Sequence, residues 1–171
     1  MNFPKDMQND LKVNNKKSFN IVLNSNDAID GGTTGQKTFR FDWYVLPDVP
    51  YLIKFSYIGG LDDSSTASDN YCNVYINFGT PTNTYSSSNN YGASSNSCIG
   101  SLQLKYFNYD LAGVIGTKQY FYSGCNDNTP IYINGRPTNT DFTVRFLTGT
   151  GTIWNTTLIN QGTLILYFEP V

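Results

Sequence analysis

The sequence predicts an all-β protein that folds as a sandwich of two sheets. Three observations support this prediction. Apolar and polar residues alternate in eight or nine short segments, turn-forming residues separate those segments, and no window combines a helical apolar stripe with helix caps. The chain has 171 residues, which is the size of a single domain. A chain of this length can bury a substantial core.

Four predicted strands lie in the first half of the chain, at residues 19–23, 37–46, 51–58 and 71–78. The longest is KTFRFDWYVL, whose alternation predicts four large inward side chains: Phe39, Phe41, Trp43 and Val45. Turn residues such as Gly59-Gly60 interrupt the pattern between segments. Each segment therefore has one face for the core and one face for solvent or a neighbour.

Five shorter segments continue the alternation, at residues 101–107, 118–122, 131–133, 140–147 and 163–168. Turn signals between them include Asn134-Gly135-Arg136-Pro137 and Gly149-Thr150-Gly151. The only helical element that we expect is one short turn near residues 109–114.

The strand count, together with a strand close to the C-terminus, favours a single jelly-roll β-sandwich of eight or nine antiparallel strands. An immunoglobulin-like sandwich is the alternative, but it usually needs only about 100 residues and a Cys, Trp, Cys arrangement that is not seen here. Residues 1–17 are polar and lack alternation, so they predict an extended N-terminal arm before a sandwich domain at residues 18–171. Residues 80–97 are a Ser/Asn/Thr tract that predicts a long loop between two strands.

The composition excludes several classes of function. The chain has no histidine, which removes the usual Ser–His–Asp and Cys–His nucleophile systems, histidine-ligated zinc and the most common general base near neutral pH. A net charge of −2 does not provide the clustered cations that bind nucleic acid. Only 14% of the residues are charged, and neutral polar groups cost less to desolvate than ions. Such a surface suits packing against neighbouring chains.

The cysteines predict neither a disulfide framework nor a metal site. Cys72, Cys98 and Cys125 are an odd number without a CxxC spacing, which favours three reduced thiols; one bridge plus one free thiol is the alternative. Asp62, Asp63 and Asp69 provide oxygen ligands for calcium, but they lack the spacing of an EF-hand loop. We therefore expect a solvated loop there and no bound metal.

Two strand carboxylates, Asp42 and Glu169, are the candidates for glycosidase chemistry, which needs a closely spaced pair. Nothing in the sequence brings them together, so we expect both to face solvent. The general acid–base repertoire is otherwise nearly empty. The sequence therefore predicts a protein that is not an enzyme and has no cofactor.

Two residues in turns are candidates for contacts with other molecules. Trp154 lies in the turn-rich stretch TGTIWNTTL, where an exposed ring suits either a protein interface or stacking on a sugar. Arg136, in a turn, is a candidate anchor for a neighbour's carboxylate, with a solvated turn tip as the alternative. Trp43 has the apolar parity of its strand, so we expect it in the core.

The sequence predicts neither export by the usual route nor insertion into a membrane. The first 17 residues contain no apolar run of the kind found in a signal peptide. No stretch of the sequence approaches the ~20 apolar residues that span a bilayer.

Four stretches of the sequence share a pattern with a known family: FNIVLNSNDAI, KTFRFDWYVLPDVPYLIKFSYIGG, TDFTVRFLTGTG and LILYFEP. They resemble small capsid proteins of large icosahedral double-stranded DNA viruses. The shared pattern is a polar lead-in, a strand, a proline and tyrosine at the entry into the next strand, and a terminal pair of strands. The residues that match it are Pro50, Tyr51, Phe142, Val144, Phe146, Leu166, Phe168 and Glu169.

This resemblance implies a minor capsid protein of the virion, made in the host cytoplasm. A single jelly roll of this length is similar to the penton proteins that close fivefold vertices, and a cement protein between capsomers is the second possibility. The implied partners are further copies of the chain, in a pentamer, and the major capsid protein. The interface residues that we predict are Met1, Asn2, Phe3, Pro4, Arg136 and Trp154. A carbohydrate-binding module that uses exposed Tyr residues and Trp154 is the alternative function.

Overall fold

The structure is a computed structural model. It describes residues 17–30, 35–62, 71–80, 97–149, 151, 153–154 and 161–171. In these residues the fold is all-β, as predicted, with short 3₁₀ turns at Ser25–Asp27 and Trp43–Val45. Apart from Lys17, the predicted arm lies outside the described residues, and so do residues 81–96 of the predicted loop.

Nine strands occur in the described part of the chain. They are β1 (Phe19–Asn24), β2 (Gln36–Arg40), β3 (Tyr51–Asp62), β4 (Tyr71–Ile76), β5 (Ser97–Leu111), β6 (Val114–Ser123), β7 (Ile131–Ile133), β8 (Asp141–Leu147) and β9 (Gly162–Pro170). Their pairings are antiparallel. Each of the predicted strand segments overlaps one of these strands, so the predicted fold class and strand number are confirmed.

The strand order is that of a jelly roll. Neighbouring strands follow the path β1-β9-β3-β6-β5-β4-β8-β2, and β7 pairs with β3. Hydrogen bonding continues along the whole path, so the strands form one folded sheet. Its first four and last four strands make the two layers of the sandwich, with early and late strands interleaved as in two Greek keys. Because β6 and β5 lie in the middle of the path, they form one side of the sandwich, called here the hairpin side. The ends of the path, β1 and β2, form the opposite side, called here the edge side.

Aromatic rings fill the space between the sheets. The ring centroid of Trp43 lies 5.1 Å from that of Phe142 and 5.7 Å from that of Phe168. The indole Nε1 of Trp43 donates a hydrogen bond to the Asn139 carbonyl at 2.8 Å, which satisfies the polar atom of this buried side chain. Full burial of a large apolar side chain contributes about 1.5–3 kcal/mol. These rings fix the two sheets against each other.

The edge of β2 that faces away from β8 is covered by Ile29 and Asp30. The backbone N–H of Thr38 donates to the Asp30 carboxylate at 2.8 Å, and the Thr38 carbonyl accepts from the Ile29 N–H at 2.8 Å. Backbone groups that would pair with a further strand are thereby occupied, which protects a sheet edge from unwanted pairing. In the described residues β1 has β9 on one side and no strand on the other.

The prediction of one continuous strand at residues 37–46 is wrong. β2 ends at Arg40, and the chain then turns through Trp43–Val45. The Asp42 side chain accepts a hydrogen bond from the Tyr44 N–H at 3.0 Å, which offers the backbone a local alternative to strand pairing. Trp43 is buried as predicted, but Val45, predicted to point inward, is 64% exposed.

The helical turn predicted near residues 109–114 is wrong as well. β5 continues to Leu111 and β6 begins at Val114, which leaves a two-residue hairpin turn. Ala112 and Gly113 have φ values of 53° and 82°, and a type I′ turn needs positive φ at both central residues. Ala-Gly is a weaker sequence signal for this turn than Asn-Gly or Asp-Gly, so the hairpin was not evident from the sequence.

Candidate functional site

Arg136 lies at the end of the sandwich where β2 ends and β8 begins. Its guanidinium carbon lies 4.2 Å from the centroid of the Tyr44 ring, and Nη1 donates to the Leu46 carbonyl at 3.4 Å. The backbone N–H of Arg136 donates to the Asp48 carboxylate at 3.4 Å. Gly135, at φ 116°, provides the backbone conformation that this turn requires. These contacts hold the guanidinium against the 3₁₀ turn, so Arg136 is not a fully solvated turn tip.

A small pocket of about 110 Å³ opens beside this arginine. It is lined by Trp43, Tyr44, Asp48, Arg136, Pro137, Thr138 and Thr140. Substrate pockets usually have volumes of ~300–1,000 Å³, so this one suits a single side chain better than a small-molecule substrate. The ion pairs of the described residues do not include Arg136. Its guanidinium therefore keeps donors for a carboxylate brought by another chain.

Trp154 is buried, so the prediction of an exposed ring there is wrong. Its side chain is 2% exposed and packs edge-on against Phe121, with ring centroids 4.9 Å apart. The backbone N–H of Trp154 donates to the Phe146 carbonyl at 2.8 Å, and its backbone carbonyl accepts from the Gly35 N–H at 2.6 Å. The ring therefore offers neither a surface for a neighbour nor a platform for a sugar. The contacts come from distant parts of the sequence, so local pattern did not reveal them.

The other predicted interface residues, Met1, Asn2, Phe3 and Pro4, lie outside the described residues. The same holds for Asp63 and Asp69 of the calcium hypothesis, while Asp62 is the last residue of β3. No group of three or more His, Cys, Asp or Glu that is able to hold a metal occurs in the part of the chain that the structure describes.

Asp42 and Glu169, the two carboxylates considered for catalysis, lie on different elements, and each has a structural partner. Asp42 caps the 3₁₀ turn through its bond to Tyr44. Glu169, on β9, forms an ion pair with Lys54 of β3 at 3.1 Å, next to it in the sheet. A partly exposed pair of this kind contributes about 1 kcal/mol or less. Both carboxylates serve local structure.

The three cysteines are free, as predicted, and two of them have thiols that resist ionisation. Burial raises the pKa of the Cys72 thiol well above its usual value. Burial also raises the pKa of Cys98, against the smaller opposing effect of hydrogen bonds with the Gly100 backbone and the Tyr75 side chain. A nucleophilic cysteine needs a lowered pKa, and neither residue has one.

Large apolar side chains are exposed on several strands. Ile58 and Tyr122 are direct cross-strand partners on the outer face of β3 and β6, and both are exposed. The other large apolar side chains that are exposed in the described part of the chain are Val22, Ile29, Tyr44, Val45, Tyr71, Tyr106, Leu111 and Val171. The sequence predicted an exposed Trp154 and an inward Val45, and the structure has the opposite at both positions.

No protein-family model matches the chain, and a search of curated proteins gives no match. Among the described residues, the structure contains no helix of the length and hydropathy needed to cross a membrane.

Proposed function

We propose that this chain is a structural subunit of a viral capsid, a penton protein that closes the fivefold vertices. The observation that carries the proposal is the jelly-roll strand order in a single domain with large apolar side chains on its outer surface. Assembly subunits need such surfaces, because burial of apolar area stabilises contacts by about 25 cal/mol per Å². The sequence resemblance to small capsid proteins supports the same function.

A penton works by geometry, because identical copies meet head to tail around an axis and the contacts close into a ring. Low charge favours this arrangement, since a net charge of −2 per subunit gives little repulsion among copies that surround one axis. Arg136 supplies a preorganised cation at one end of the sandwich for a carboxylate of the major capsid protein or of another copy. The chain itself forms and breaks no bonds in this role.

A cement protein between capsomers uses the same surfaces at a different place, so it remains the second candidate. The carbohydrate-binding alternative loses one of the platforms named for it, because Trp154 is buried.

Cryo-electron microscopy of particles that contain the chain tests the proposal. The expected result is density for one jelly roll per subunit at each fivefold vertex, in five copies. Density at sites between capsomers would replace the penton role by the cement role. Absence of the chain from particles, together with binding of the purified chain to an oligosaccharide array, would contradict the capsid function.

A further inference from the structure

The turn after β7 contains the only Asn-Gly pair in the sequence, Asn134-Gly135. The side-chain amide of an asparagine is open to attack by the backbone nitrogen of the next residue, because the two groups are close enough to close a five-membered ring. Glycine favours this attack more than any other following residue, since it has no side chain to shield the nitrogen. Asn134 is therefore the asparagine of this chain with the highest intrinsic reactivity.

The structure leaves both reacting groups free. The pairing of β7 with β3 ends at Ile133, so no strand ladder holds the two residues that follow. Asn134 is exposed to solvent. Among the residues that the structure describes, neither the Asn134 amide nor the Gly135 N–H has a hydrogen-bond partner. Ring closure at this position therefore breaks no hydrogen bond of the fold.

The fold itself requires the glycine that makes Asn134 reactive. Gly135 has a φ of 116°, a backbone conformation that residues with a side chain rarely adopt. A Cβ at this position would also lie 3.2 Å from Oδ1 of Asp48. The turn that carries Arg136 therefore keeps an unshielded backbone nitrogen next to Asn134.

Asn24-Ser25 provides a comparison within the same chain, because serine is also a small following residue. The Asn24 amide is held at both ends: Nδ2 donates to the Asp27 carboxylate at 3.1 Å, and Oδ1 accepts from the Thr163 hydroxyl at 2.9 Å. Attack on this amide would break both hydrogen bonds. The fold thus protects Asn24 and leaves Asn134 open.

We propose that Asn134 is a site of spontaneous deamidation in the folded chain. The backbone nitrogen of Gly135 loses its proton to hydroxide and attacks Cγ of Asn134, so that a C–N bond forms and the side-chain nitrogen leaves as ammonia. Water then opens the succinimide ring at either carbonyl and leaves aspartate or isoaspartate at residue 134. The net reaction consumes a water molecule and releases ammonia, with no oxidation or reduction. The site does not depend on the proposed capsid function.

The reaction changes the surroundings of Arg136. The backbone of this arginine is fixed on both sides, since its N–H donates to the Asp48 carboxylate at 3.4 Å and its carbonyl accepts from the Thr80 hydroxyl at 2.7 Å. Deamidation adds a negative charge two residues earlier, and isoaspartate also lengthens the main chain by a methylene. The modified turn therefore alters the charge and the backbone geometry next to the guanidinium.

Incubation of the full folded chain at neutral and mildly alkaline pH tests the site, with proteolytic fragmentation and mass spectrometry as the readout. We expect conversion at Asn134 to be at least about tenfold faster than at Asn24, with both isoaspartate and aspartate among the products. The rate rises about tenfold for each unit of pH, because only the deprotonated nitrogen attacks.

Asn134→Gln is the matched variant. It keeps an amide at the same exposed position but has to close a six-membered ring, so we expect acid to form at residue 134 at least about tenfold more slowly than in the original chain. Circular dichroism checks that the variant folds. Incubation of the original chain in urea removes the hydrogen bonds of Asn24, and we expect Asn24 to convert faster there than in the folded chain.

Two results would overturn the proposal. Conversion at Asn134 that is no faster than at Asn24 in the folded chain would mean that the turn holds the amide away from the Gly135 nitrogen. Aspartate without isoaspartate at residue 134 would mean direct hydrolysis by water, without ring closure.

Discussion

The hydroxyl of Tyr57 occupies the space beside Gly162 in which any larger residue would place its Cβ. The two residues lie on neighbouring strands, since Tyr57 of β3 is opposite Leu164 of β9 and Gly162 is two residues earlier. The side chain of Tyr57 also lies against Gly59 of its own strand. Two glycines thus make room for one buried tyrosine at this end of the sandwich.

The first prediction is that Gly162→Ala destabilises the fold. The added methyl overlaps the Tyr57 hydroxyl and ring, and an overpacked core usually costs about 1–3 kcal/mol. Urea unfolding, followed by tryptophan fluorescence, measures the loss. Gly113→Ala is the matched control for the loss of a glycine without a steric overlap. A Cβ at Gly113 meets nothing within 4 Å, and the φ of 82° there adds backbone strain alone. A variant Gly162→Ala as stable as the original chain would show that this end of the core is loosely packed.

The second prediction is that Tyr57→Phe does not destabilise the fold. The hydroxyl is buried and has no hydrogen-bond partner in the described structure, so its removal relieves a desolvation penalty of about 1–3 kcal/mol. The expected result is an unchanged or higher Tm by differential scanning calorimetry. The pocket beside it, lined by Ser25 and Lys37 among others, has a volume of only about 10 Å³. A loss of more than about 1 kcal/mol would show that the hydroxyl bonds to an ordered water in this pocket.

The third prediction concerns Trp154, which joins the segment after β8 to the core. Trp154→Ala removes the edge-on contact with Phe121 and leaves a cavity, so we expect a loss of about 3–5 kcal/mol of unfolding free energy. Trp154→Phe keeps a ring in place and costs less. Chemical denaturation of both variants provides the comparison. If Trp154→Ala stayed within about 0.5 kcal/mol of the original chain, as surface substitutions do, the ring would be exposed after all.

The fourth prediction is a loss of stability at alkaline pH. Burial raises the pKa of Cys72 and of Tyr57, so the folded chain keeps protons that the unfolded chain releases near their ordinary pKa values of 9.0 and 10.0. The stabilising effect is therefore fully present below pH 9 and declines as the pH rises further.

Urea unfolding at a series of pH values from neutral to alkaline measures this decline. Cys72→Ala is the matched variant, and it makes the first part of the decline shallower because one of the two groups is gone. A stability that stays constant into the alkaline range would mean that these two groups are hydrated in the folded chain.

Most of the strand pattern was predictable, because alternation reports which face of a strand is buried. The segment at 131–133 agrees with β7 residue by residue. The strand predicted at residues 37–46 was wrong because the side-chain cap at Asp42 redirects the backbone. The helical turn predicted at residues 109–114 was wrong because positive φ values at Ala112 and Gly113 form a tight hairpin turn instead. Such local geometry leaves little trace in hydropathy.

The candidate contact surfaces were less predictable. Arg136 was singled out for its turn and its charge, but its stacking on Tyr44 brings together two distant turns of the chain. The length of the β5–β6 hairpin that lacks a third described strand depends on where β4 and β3 stop pairing, which is a property of register between strands and not of β5 or β6 alone. Burial of Trp154 has the same origin in contacts with β6, β8 and Gly35.

Native mass spectrometry of the purified full chain tests most directly whether this jelly roll is built to join other copies of itself. We predict a dominant species at five times the 19.1 kDa subunit mass, with few intermediates because a closed ring leaves no unpaired surface. A monomer at every concentration, or an open series of masses without a preferred number of copies, would contradict a subunit that closes a fivefold vertex.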